Sequence, residues 1–155
     1  MNVRFARHED SARIMELLGQ VNLVHHLGRP DIFKLGTKYT LDELSIIIDD
    51  TQKPILIAEE GGEVLGYCFC IYQQHEDSNL LTDIKTLYID DLCVDEVARG
   101  KGVGKVLYDA AVRLAKDTEC YNVTLNVWSC NQSALRFYQK QGLVPQKIGM
   151  EMILK

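Results

Sequence analysis

Between Val94 and Lys116 the chain reads VDEVARGKGVGKVLYDAAVRLAK. Glycines stand at 100, 102 and 104, interleaved with Arg99, Lys101, Val103 and Lys105, and an apolar helical stripe follows without a break. A helix start leaves about four backbone N–H groups without partners and carries partial positive charge. Removing side chains there lets a phosphate oxygen reach those N–H groups directly. The three cations add charge of the same sign. The chemistry available to this turn is therefore anion binding, most simply of a pyrophosphate. A bare strand-to-helix turn is the alternative, but one glycine would suffice for it. Two standard nucleotide motifs fail by spacing. The P-loop pattern ends in Gly-Lys-Ser/Thr, and here Gly104-Lys105 falls one residue short of Gly100 and is followed by Val106. The dinucleotide pattern G-x-G-x-x-G would need glycine at 105 or 107, which are Lys105 and Leu107.

The spacing that is met is Arg99-x-x-Gly102-x-Gly104. A second constellation follows about 30 residues later in NVWSCNQSALRFYQKQGL, where Asn131, Ala134, Tyr138 and Gly142 form N-x-x-A-x-x-x-Y and a terminal glycine. In these two motifs, and in DLCV at the end of the preceding strand, the chain resembles the GNAT superfamily of acetyl-CoA-dependent N-acetyltransferases. The specific resemblance spans Tyr88 to Leu143. It implies that acetyl-CoA is the co-substrate and that the turn Arg99–Lys105 (Arg99, Gly100, Lys101, Gly102, Val103, Gly104, Lys105) wraps its pyrophosphate. It places Asn131, Ala134 and Tyr138 beside the cofactor. The pantetheine arm would lie between splayed fourth and fifth strands, bonded to the main chain of Leu92, Cys93 and Val94. An N–H near Val94 would then be a fixed donor to the thioester oxygen, where charge grows in the transition state.

By the same resemblance Tyr138 is the general acid for the departing thiolate; the alternative is a core aromatic like Phe137. A phenol with pKa near 10 is protonated at pH 7 and can donate. The base is assigned by position. Relatives that acetylate protein N-termini carry a glutamate twelve residues before the tyrosine, and here that position is Asn126, which cannot take a proton. Tyr88 occupies the position of the histone enzymes' catalytic glutamate. Aminoglycoside and polyamine acetyltransferases place an acid four residues before the strand's final valine, which is Asp90. Strand alternation sets Asp90 on the face of Tyr88, Leu92 and Val94 and turns Asp91 away. A solvated or helix-capping carboxylate is the other reading of Asp90.

The acceptor is expected against the first helices, where VHHLGRPDIFKLG runs. His25, His26, Arg29, Asp31 and Phe33 stand there as lining residues or as residues that shape a loop, and their spacing does not separate the two. Tyr88, Asp90 and Asn126 complete the candidate acceptor set. Glu76, Asp77, Asp83, Asp90 and Asp91 gather acids on or near the fourth strand, which favours a small cationic amine as acceptor. A protein N-terminal or lysine acetyltransferase and a non-catalytic CoA-binding module are the competing readings.

The elements that must position these groups follow from periodicity. MNVRFAR alternates as a first strand. Ile14, Leu17, Leu18 and Val21 mark a helix, a second short helix is expected to end near Leu27 before Gly28 and Pro30, and Thr40 with Glu43 forms a capping box for another. KPILIAEE and EVLGYCFCIYQQ flank Gly61-Gly62 as a hairpin. IKTLYIDDLCV, YNVTLNVW and LVPQKIGMEMILK supply the later strands, the last giving one or two. The fold class is α/β, a sandwich around a mixed sheet; the resemblance implies that the sheet is mostly antiparallel, splayed between strands four and five and flanked by about four helices. Residues 1–155 make one domain of 46% hydrophobic and 25% charged residues. No apolar run is long enough for a membrane span and the start lacks a signal-peptide core. A net charge of −5 disfavours nucleic acid. Five cysteines without framework spacing suit a reducing cytoplasm, Cys68 and Cys70 as small buried residues on one strand face, and the four histidines have no metal-ligand spacing. The resemblance adds a homodimer.

Overall fold

Strands with a period of two and helices with a period of 3.6 each carry an apolar side, and the sheet buries both of its faces beneath helices. The computed structural model describes residues 1–155. Strands β1 (Asn2–Phe5), β2 (Ile55–Glu60), β3 (Glu63–Gln74), β4 (Lys85–Val94) and β5 (Asn122–Leu125) lie side by side in chain order. β1 to β4 are antiparallel neighbours, and β5 runs parallel to β4. The helices are α1 (Ser11–Gly28), α2 (Leu41–Ile48), α3 (Val103–Asp117) and α4 (Gln132–Lys140). This is the mixed, mostly antiparallel sheet with four helices that the sequence implies.

Two apolar clusters divide the molecule. On one face Leu56, Ala58, Cys68, Cys70, Leu87 and Ile89 meet Val103, Leu107, Tyr108, Ala111 and Ala115 of α3. On the other, Ile57, Tyr67, Phe69 and Cys93 meet Ile14, Leu17 and Leu18 of α1 and Leu44 of α2. Thr40 and Glu43 close the expected capping box: Glu43 N donates to Thr40 Oγ1 at 3.2 Å, and Thr40 N to Glu43 Oε2 at 2.8 Å.

Two expectations are corrected. The first helix does not stop to restart: α1 is continuous to Gly28, because no breaker intervenes between Val21 and Leu27 and the Gly28–Pro30 signal ends the same helix. The last segment, from Leu143 on, forms no strand. Val144, Ile148, Met150, Met152 and Leu154 are each at least 80% exposed. Their alternation suits a strand, but strand propensity is expressed only where a neighbour supplies the ladder and the packing.

The β4–β5 ladder runs from Thr86↔Asn122 to Ile89↔Leu125 and stops. From Asp91 to Val94, β4 stays paired with β3 on its other edge but has no partner towards β5. That divergence also shortens β5 against the expected 121–128. The far end of β4 is held by buried Asp95, whose carboxylate accepts from Arg13 and, at 3.2 Å, from Gln20 of α1.

Candidate active site

The glycine turn sits where β4 hands over to α3. A short 3-10 turn, Glu96–Ala98, leads into it. Gly100 and Gly102 have φ of 78° and 81°, left-handed backbone that a side chain strains. Gly102 is the N-cap of α3 and no side chain caps that helix, whereas Thr40 caps α2 and Asn131 caps α4. The first N–H groups of α3 are thus left for a ligand. Gly104 is different: a Cβ there would meet the Phe137 ring at 3.5 Å and Val94 at 3.6 Å, ordinary contact. Arg99 folds back so that its Nε donates to Val94 O at 3.3 Å. Lys105 is tied to Asp109 at 2.8 Å, and Lys101 is exposed.

Beside the turn, Leu92 and Val94 pack on the α3 cluster, and so do Phe137 and Tyr138 of α4. The Tyr138 ring stands edge-on to Phe137 and Tyr108 with centroids 5.1 and 6.4 Å away. Burial holds its phenol well above the ordinary range, so it is fully protonated at neutral pH. Asn131 Oδ1 accepts from Ala134 N at 3.2 Å and thereby fixes the start of α4. Cys93 turns the other way. Its thiol donates to Leu17 O on α1, and burial pushes it up to about 12; its main chain pairs with Tyr67 of β3.

Strand alternation does not hold at the two acids. Cys70 pairs with Ile89 and Phe69 with Asp91, which leaves Asp90 as the extra residue of a β-bulge. Ile89 therefore faces α3, and Cys93, four residues on, faces α1. The expectation that Asp90 shares a face with Leu92 and Val94 is overturned; Asp91 does lie opposite those two residues, and the bulge sets Asp90 on its side. Both carboxylates reach tyrosines of the α1–α2 cluster: Tyr39 Oη donates to Asp90 at 2.6 Å and Tyr67 Oη to Asp91 at 2.8 Å. Asp91 is partly buried, and desolvation pushes its carboxyl up to about 6. Asp90 also meets Lys38, whose Nζ lies 3.0 Å from its Oδ1 and donates to its carbonyl oxygen at 3.2 Å.

The segment between α1 and α2 covers this side. His25 stacks on Phe33 at 5.0 Å, and Phe33 meets Trp128 edge-on at 5.0 Å. Burial, then the charge of Lys38, lowers the His25 imidazole, keeping it neutral. His26 is used differently: its Nδ1 lies 2.6 Å from Phe33 O. Arg29 pairs with Asp31 at 2.8 Å and with Glu151 of the terminal segment. His26, Arg29 and Asp31 thus shape the loop, while His25 and Phe33 present rings. Asn126 Nδ2 donates to Tyr88 Oη at 3.2 Å just past the last β4–β5 pair. Glu76, Asp77 and Asp83 lie around the opposite end of β4. Sequence reasoning missed Lys38, Tyr39 and Trp128. They belong to no motif, and only the single tryptophan just beyond β5 offered a signal.

Comparison with known proteins agrees with this arrangement. The model of the acetyltransferase (GNAT) family matches residues 22–143. The chain is 29% identical over 126 residues to human N-alpha-acetyltransferase 30, covering 78% of this chain and 33% of that protein. It is 28% identical over 143 residues to the spermine/spermidine N(1)-acetyltransferase of Bacillus subtilis, covering 92% and 86%. The chain spans about a third of the length of the human relative. Among solved structures, a tetramutant of the BH1408 protein from Bacillus halodurans superposes with a TM-score of 0.94 at 29% identity, over 99% of this chain and 100% of that one. An uncapped glycine turn, diverging strands, a partly buried tyrosine on the following helix and these matches lead to one assignment: the chain belongs to the acetyltransferase (GNAT) family.

Proposed function

We propose that the protein is an N-acetyltransferase that moves the acetyl group of acetyl-CoA to the primary amine of a small cationic acceptor, by direct attack in a ternary complex. The observation that carries the acceptor class is the Asp90 carboxylate at the mouth of the divergence, which already holds an ammonium 3.0 Å away. A carboxylate built to hold one alkylammonium suits another. The spermine/spermidine relative supports a polyamine-like acceptor. The uncapped start of α3 binds the pyrophosphate. The main chain of Leu92, Cys93 and Val94 takes the pantetheine, with an N–H near Val94 stabilising the developing oxyanion. Asp90 receives the acceptor's proton directly or through water, and Tyr138 protonates the thiolate.

The unit is residues 1–155 acting as one catalytic domain, as a homodimer, in the cytoplasm. Five unpaired thiols suit a reducing compartment, and the exposed apolar terminal segment suits a contact with a second copy. Identity to N-alpha-acetyltransferase 30 favours a second reading, in which the acceptor is a protein N-terminus; Asn126 in place of an acid counts against it. A panel of polyamines, aminoglycosides and N-terminal peptides is to be incubated with acetyl-CoA and the released thiol measured. Turnover confined to small polycations supports the first reading, and turnover confined to peptides replaces it. No thiol release with any amine leaves a CoA-binding module.

A further inference from the structure

Asp90 is the first residue of β4 beyond the β5 ladder, so its carbonyl opens the divergence in which the thioester would lie. Lys38 Nζ donates to that carbonyl at 3.2 Å and pairs with the Asp90 carboxylate at 3.0 Å. It arrives from the segment joining α1 to α2, on the side of the sheet opposite α3. Tyr39 beside it donates to the same carboxylate at 2.6 Å and stacks on Phe69 at 5.6 Å. The lysine is therefore anchored by its neighbour's ring and hydroxyl. An exposed lysine usually keeps its head in water. Here the ammonium is aimed at the position assigned to an acceptor amine.

We infer that Lys38 is a modification site: with acetyl-CoA bound and no acceptor present, the protein acetylates its own Lys38. The inference rests on the acceptor-side reading of Asp90 given above. The ammonium gives one proton to the Asp90 carboxylate or to water. The neutral Nζ attacks the thioester carbonyl, the C–N bond forms and the C–S bond breaks. The CoA thiolate leaves and takes a proton from Tyr138, and the second proton shed by the attacking nitrogen returns through solvent to Tyr138. The products are Nε-acetyl-lysine, free CoA thiol and one proton released to solvent. Acetylation removes the charge on Lys38, ends its ion pair and frees Asp90 for an incoming cation.

The full-length protein is incubated with acetyl-CoA alone and its lysines are followed by peptide mass spectrometry. Lys34, exposed in the same segment, reports the background reactivity of a free lysine. Intramolecular positioning raises such rates strongly, so Lys38 should be acetylated at least about tenfold faster than Lys34. Its first-order rate should not change with protein concentration, and Asp90→Asn should reduce Lys38 to the Lys34 rate. Equal rates at Lys38 and Lys34 overturn the inference, as does a Lys38 rate proportional to protein concentration, which means transfer between molecules. Lys38→Ala, assayed with the acceptor panel, separates this inference from the reading beneath it. If Lys38→Ala turns over polyamines while wild-type Lys38 stays unmodified, self-acetylation falls and the acceptor reading stands. If Lys38 is acetylated while no amine in the panel reacts, self-acetylation stands and the acceptor reading falls.

Discussion

Tyr138 offers a protonated phenol packed between Phe137 and Tyr108, and the hydroxyl can be removed without disturbing the ring. Tyr138→Phe should lower kcat by about 10²- to 10⁴-fold, the usual worth of general acid catalysis, and leave CoA affinity intact. Steady-state kinetics beside calorimetry with CoA checks this; full activity would return Tyr138 to a packing role. Asp90→Asn should raise KM for a cationic acceptor more than for a neutral amine. Asp91 carries a separate signature. Burial pushes its carboxyl up to about 6 from 3.8, so the folded chain holds this proton more tightly than the unfolded chain. The stability it lends is whole below about pH 4 and is lost as pH rises through about 6. Asparagine mimics the neutral acid. Asp91→Asn should therefore gain on wild type as pH rises, by up to about 3 kcal/mol at pH 7, the worth of a shift of about two pKa units. Thermal unfolding across that range measures it, and parallel profiles would refute it.

At the scale of the element, the turn that opens α3 separates strain from ligand binding. Gly102 has φ of 81°, so Gly102→Ala should cost roughly 1–2 kcal/mol of stability besides weakening CoA binding. Gly104 has ordinary room for a Cβ. Gly104→Ala should keep the melting temperature, since the methyl meets only Phe137 and Val94 in ordinary contact, whereas a bulky residue at 102 or 104 should weaken CoA by blocking the approach of the pyrophosphate. Unchanged CoA affinity in those bulky variants, read by calorimetry, would move the pyrophosphate off this turn. Arg99→Ala should weaken CoA more at low salt than at high salt, since an exposed ionic contribution is screened. The β4 bulge belongs to the same scale. One inserted residue turns both Asp90 and Asp91 to the α1–α2 face, bringing together acids that alternation would separate.

For the whole molecule, the unpaired segment after Leu143 is the feature with consequences. Ile148 and Met152 are 80% and 83% exposed and lie outside the core. If they bury against a second copy, Ile148→Glu with Met152→Glu should convert a dimer into a monomer while the core keeps its unfolding temperature. Light scattering with thermal unfolding tests both halves. A monomeric wild type would remove the dimer from the proposed function.

Local spacing determined the glycine turn, the Asn131 cap, Tyr138 and the order of the elements, because each depends on near neighbours in the chain. A cap needs its own helix, and the anion turn needs glycines beside a helix start. The two faces of the sheet were equally legible, since apolar alternation writes them into each strand. The orientation of Asp90 and Asp91 was not legible. It depends on a register slip between β3 and β4 opposite Phe69 and Cys70, a property of the pairing rather than of the residues of β4 alone. The partners Lys38 and Tyr39 lie 52 and 51 residues from Asp90 along the chain and belong to no local pattern. The terminal strands failed for the converse reason: alternation after Leu143 is local, but a strand exists only when something beside it completes the ladder. Sequence fixed what neighbours in the chain decide, and tertiary structure alone decided which distant groups share the acceptor's side of the sheet.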